Sequence, residues 1–117
     1  MDHSWLAIAQ GAYYVLTGAW PLVHMRSFLA VTGPKRDLWL VNMVGALAAA
    51  IGLALLAGAA EAGVSGTLLV LAIASAAAFL AVDVVYVVRG VIRKVYLCDG
   101  AVQFVLIAAW VACAMRA

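Results

Sequence analysis

From Leu38 to Ala60 no side chain is charged, and from Val64 to Val88 only Asp83 is. Runs this long and this apolar leave few folds open. A helix rising about 1.5 Å per residue needs about 20 apolar residues to cross roughly 30 Å of hydrocarbon. Lipid offers backbone amides no partner, so such segments cross as helices. Two further stretches have the same character, and the chain is expected to hold four spanning helices at about Trp5–Val23, Leu38–Ala60, Val64–Val88 and Val95–Met115. Residues 1–117 then form one domain with little chain to spare. The composition agrees: 69% hydrophobic, 10% charged, mean hydropathy +1.17, far from the mix of a soluble domain. The expected fold is all-α, a polytopic transmembrane four-helix bundle. The first helix has acidic Asp2 ahead of it and neither a basic n-region nor a small-residue cleavage site, so it is expected to be retained rather than removed as a signal.

The few charges are not scattered. Arg26, Lys35 and Arg36 fall between the first and second helices, Arg89, Arg93 and Lys94 between the third and fourth, and only Glu61 between the second and third. By the positive-inside rule the two basic connections face the cytoplasm and both termini the periplasm of a bacterial inner membrane. A net charge of +2 gives no reason to expect nucleic acid as a partner. Aromatic residues at headgroup depth fit the same orientation, with Trp5 and Trp110 at the outer ends and Trp20, Trp39, Tyr86 and Tyr96 at the inner ends. Cys98 and Cys113 are separated by about 22 Å of one helix, too far for a disulfide, and no CxxC pair exists. Buried free thiols are the expectation, and a thiol–quinone redox enzyme is not.

Each helix has one seam at spacings of three and four, the rhythm of a left-handed bundle. The first carries Gln10, Tyr14, Thr17, Pro21 and His24; the second Asn42, Gly45, Ala49 and Gly52. The third has Ala72, Ala76, Phe79, Asp83 and Tyr86, and the fourth Asp99, Gln103, Leu106, Trp110 and Cys113. Gly45 and Gly52 are expected at a close helix contact. Pro21 marks a kink or the onset of termination, and Gly33-Pro34 punctuates the first connection ahead of Asp37, which suits a helix N-terminus. Between them "RSFLAV" reads either as a segment lying in the headgroup plane or as plain loop. The two halves share an orientation and a basic connection, no more than the positive-inside rule produces, so a tandem duplication has only thin support.

Placed by depth, Thr17, His24, Asn42, Asp83, Tyr86, Asp99 and Gln103 all fall in the cytoplasmic half. Asp83 matters most, because a carboxylate in hydrocarbon costs several kcal/mol unless paired, protonated or hydrated. It should face the bundle, with Arg26, Arg89, Tyr86 and His24 as candidate partners; one reading is a ligand or proton site, the other a structural ion pair. Asp99 reads as a first-turn cap or as part of the same site. Gln103 and Asn42 read as interhelical hydrogen-bonding groups or as pocket lining. His24 reads as an interfacial anchor or as a ligand. No HxxxH, ExxH or CxxC spacing supports a metal, and no GxSxG, Walker A or dinucleotide motif supports a soluble type of enzyme or a cofactor.

"WPLVHMRSF" followed by "VTGPK" resembles a set of small bacterial four-helix membrane proteins, the shared residues being Trp20, Pro21, His24, Arg26, Ser27, Phe28, Thr32, Gly33, Pro34 and Lys35, with Asp83 and Tyr86 of "DVVYVVRG". That resemblance implies the architecture and a place for a site, and no activity. Small multidrug transporters are a poor match, for their first-helix Glu is replaced here by Gln10. A more distant likeness to sterol-isomerase-like four-helix proteins rests on architecture and buried acids alone. The expected function is a polar intramembrane pocket in the cytoplasmic half that binds a small amphipathic ligand, a lipid or a cation, through Asp83, Tyr86, His24, Arg26, Asn42, Asp99 and Gln103. The competing expectation is a non-catalytic subunit of a homo-oligomer or larger membrane complex, with membrane lipids as partners in either case. A small membrane enzyme ranks third.

Overall fold

The apolar runs do fold as helices, and where each stops is written in local chemistry. The computed structural model describes residues 4–61 and 64–116. It is all-α: α1 is Ser4–Val23, α2 Met25–Thr32, α3 Leu38–Ala60, α4 Gly66–Val88 and α5 Tyr96–Arg116, with no strand among the described residues. Four spanning helices were expected; among the described residues five helices are found, one of them short. The extra one is α2, whose N-terminus is capped by His24 Nδ1 accepting the Ser27 amide at 3.2 Å, while Gly33 closes the other end with φ +100°. "RSFLAV" is thus a helical turn and a half rather than a loop. α1 runs through Pro21 and ends two residues later. The α4 N-terminus is capped by Ser65 Oγ, which accepts from the Leu68 amide at 3.1 Å. Its far end is a Schellman turn: Gly90, at φ +74°, donates to Val87 O, and Val91 donates to Tyr86 O.

Three helices, α3, α4 and α5, are long and apolar enough to cross a membrane. α1 has the length, 20 residues, but is less apolar, because Gln10, Tyr13, Tyr14 and Thr17 interrupt its aliphatic run.

The helices associate as two pairs, α1 along α3 and α4 along α5. Glycines set the first pair. A Cβ on Gly11 would stand 2.8 Å from Gly52 O, and one on Gly52 2.6 Å from Gly11 O. Gly18 and Gly45 repeat the reciprocal contact one heptad away, each backbone lying against the other's carbonyl. Only residues without a Cβ allow two helices so close, so the expected close contact at Gly45 and Gly52 is present, against α1 of the same chain. In the second pair Gly100 of α5 lies against Leu80 and Asp83 of α4. Leu6, Ala7, Tyr14, Leu55, Leu68, Ala72 and Trp110 form the core where the pairs meet. The ends of α1 and α5 nearest the chain termini therefore lie together with the α3–α4 connection, opposite the two basic connections.

Burial inverts the soluble pattern. Gln10, Gln103 and Asp83 are inside, whereas Leu16, Val70, Phe104 and Val105 are each more than 60% exposed.

Candidate functional site

On α1, Gln10 and Tyr14 stand one turn apart on one face, and both are buried. The Gln10 amide is fixed by two neighbours with single roles. The Trp110 indole N–H can only donate, and it reaches Gln10 Oε1 at 2.7 Å; the Ala72 carbonyl can only accept, and it receives Gln10 Nε2 at 2.9 Å. The same Nε2 donates to Tyr14 Oη at 3.1 Å. Tyr14 passes its proton on to Gln103 Oε1 at 2.6 Å, and Gln103 Nε2 donates to Asp99 Oδ1 at 3.2 Å. From the other side Tyr13 donates to the same Asp99 oxygen at 2.5 Å. From Trp110 through Gln10, Tyr14 and Gln103 to Asp99 the chain runs donor to acceptor in one direction, with Ala72 O as a branch. Between Asp99 and Trp110 the network covers about 16 Å of helix axis, about half a hydrocarbon core. Ser75, bonded to Leu71 O at 2.7 Å, borders it on α4, and the Phe79 ring meets Tyr14 edge-on at 5.3 Å.

Asp83 comes to the end of this network from α4. It is 4% exposed, and its Oδ2 has no hydrogen-bond partner. That oxygen faces the α4–α5 seam: a methyl on Gly100 would sit 3.8 Å from it. The neighbouring acid is Asp99, which precedes Gly100 on α5. No ion pair with Arg26 or Arg89 forms, and both cations are exposed. The arrangement is two carboxyls and a phenol hydroxyl around one seam, an all-oxygen set suited to a hard cation or an ammonium group. Among the described residues no group of three or more His, Cys, Asp or Glu is placed to hold a metal.

Of the residues singled out in the sequence, Asp83, Asp99 and Gln103 are brought together and the other four are not. Tyr86 is 38% exposed, because the buried stripe of α4 continues from Asp83 to Val87 rather than to residue 86. His24 leaves the α1 seam where the chain turns; it is exposed and pairs with Ser27 Oγ at 2.7 Å. Arg26 stands on the outer side of α2. Asn42 is half-buried with Oδ1 unpartnered, and no hydrogen bond joins it to the network. Asp99 lies in the first turn of α5 as expected, yet its carboxylate accepts from side chains of α1 and α5 rather than capping amides. Trp110 is no headgroup anchor: at 1% exposure it is a donor inside the bundle. Tyr13 and Ser75 were missed, since a one-residue-per-turn seam passes over both. Gln10 and Trp110 carried a signal, a buried amide and an indole each needing a partner at matching depth.

A separate cleft of about 400 Å³, lined by Ala54, Gly58, Glu61, Ser65 and Leu68, lies at the other end of α4 from Asp83 and is not part of this site. No protein-family model matches the chain, and neither a curated protein nor a solved structure matches it.

Proposed function

We propose that this chain is a small bacterial inner-membrane protein, with α1 as a fourth span and both termini periplasmic, that binds a cation or the cationic head of a small amphipathic molecule between Asp83 and Asp99. The observation that carries the reading is the buried Asp83 carboxyl oxygen, to which no amide, indole or hydroxyl of the described residues donates, beside a second carboxyl. Leaving such an oxygen unmade costs about 1–3 kcal/mol or more, a cost that a bound cation removes. The inverted exterior and the three apolar helices support the membrane reading, and the Lys and Arg distribution supports its orientation.

Asp83→Asn keeps the shape, removes the charge and offers Asp99 a donor. The variant should melt no lower than the parent in detergent, while the rise in melting temperature produced by a short-chain alkylammonium salt disappears. An equal rise in both proteins defeats the proposal.

The reading as an accessory subunit has its own support in Ala74, Ala78 and Ala81, which form an exposed small-residue face on α4. The glycine face of α3 is unavailable for that role, being occupied by α1.

A further inference from the structure

Lys35 and Arg93 do different work from the other four basic residues of the two connections. The Lys35 ammonium is consumed internally: it donates to Thr32 Oγ1 at 2.9 Å and Gly33 O at 3.1 Å, and lies over the rings of Phe28 and Tyr96 at 5.4 and 5.2 Å. It straps the first connection to the start of α5. Arg93 adds a second strap, with Nη1 on Ala30 O at 3.5 Å and its stem against Gly33. Around these straps Arg26, Arg36, Arg89, Arg93 and Lys94 are all exposed, and among the described residues none is ion-paired. The one acid in the two connections, Asp37, is exposed as well.

The same end of the molecule is apolar where it is not basic. Val23 is 82% exposed, Val88 80%, Val91 67% and Trp39 62%. On the membrane reading these side chains lie beside the cations at the edge of the acyl region, so a free anion or a nucleic acid would match only the basic half of the surface. A phospholipid presents a negative phosphate and acyl chains together.

We infer that this end of the bundle binds anionic phospholipid headgroups between the first connection (Arg26, Arg36) and the second (Arg89, Lys94), so that bound lipid clamps the α1–α3 pair to the α4–α5 pair. The inference rests on the membrane reading of the chain and is independent of the Asp83 site. The clamp has a reason to exist, since α3 with α4 and α1 with α5 approach each other far less than the partners within each pair.

The test titrates the purified full-length protein, in a neutral detergent, with phosphatidylglycerol, phosphatidylcholine or inorganic phosphate, and follows the melting temperature. Phosphatidylglycerol should raise it by about 5 °C, as expected for a gain near 1 kcal/mol, and the other two by little. R26Q/R36Q and R89Q/K94Q should each lose at least half of that rise, while the lysine-for-arginine variant R26K/R36K keeps it. An equal rise with phosphatidylcholine, an equal rise with inorganic phosphate, or a full rise in both glutamine variants overturns the inference. Should the glutamine variants fail to fold, native mass spectrometry of the parent decides, because co-purified lipid no more anionic than the host membrane overturns it too. D83N should retain the phosphatidylglycerol response, which separates this result from the fate of the cation site. Release of the chain from membranes by alkaline carbonate would remove the membrane reading and this inference with it.

Discussion

Tyr14 is bonded in both senses: its hydroxyl accepts from Gln10 and donates to Gln103 inside the bundle. Tyr14→Phe leaves Gln103 Oε1 without that donor and leaves Gln10 Nε2 with Ala72 O as its remaining acceptor in the network. Stability should fall by about 2 kcal/mol, more than the average interhelical bond in a membrane because two buried groups lose a partner. Tyr13→Phe should cost about 1 kcal/mol or less, for Asp99 keeps Gln103 and the Tyr13 hydroxyl is only part-buried. Melting curves of the two variants in one detergent check the order, and a Tyr13 variant weaker than the Tyr14 variant would contradict it. At this scale the sequence pointed to part of the buried polar cluster. Asp83 stood out because a carboxylate within an apolar run must have a reason, and Gln103 and Asp99 followed from depth. His24, Arg26 and Tyr86 lie outside that cluster; depth along the axis says nothing about direction around it. Asp83 looks across a seam at Asp99, not at the cations one or two turns away.

Among the elements, α3 shows how a face free of side-chain bulk becomes a specific contact. Its glycines meet those of α1 carbonyl to backbone, so Gly45→Leu must push against Gly18 O and Pro21. We expect a loss of about 3 kcal/mol or more, read as a large drop in melting temperature. Gly66→Ala is the control: a methyl there meets nothing within 4 Å, and the change should be within about 0.5 kcal/mol. A tolerated Gly45→Leu would show that the pair is not set by this contact. The long helices and their seams could be read from hydropathy and spacing, since a 3.6-residue repeat persists over five or six turns. α2 could not. Eight residues with a mixed pattern give no periodic signal, and its cap is a histidine ring that works only because Ser27 and Trp20 hold the turn, Trp20 Nε1 donating to Ser27 Oγ at 2.8 Å.

For the molecule as a whole, α1 pairs with α3 and α4 with α5, and the hydrogen-bonded network joins the apolar core in tying the halves: Gln10 and Tyr14 of one pair bond to Ala72, Gln103 and Trp110 of the other. Hydropathy gave the apolar segments but no partner assignments, because every helix carries a seam and nothing in one seam names its mate. The proposed orientation predicts that a reporter active only in the periplasm works when fused after Ala117, and that one active only in the cytoplasm works when inserted between Arg89 and Lys94. The reverse pattern would contradict it. The central claim is that Asp83 and Asp99 together hold a cation. Infrared difference spectroscopy of the purified protein reads carboxylates directly: addition of an alkylammonium salt should shift carboxylate bands in the parent protein, and both Asp83→Asn and Asp99→Asn should abolish that shift. A parent spectrum without change, or a shift that survives in Asp83→Asn, would contradict the account.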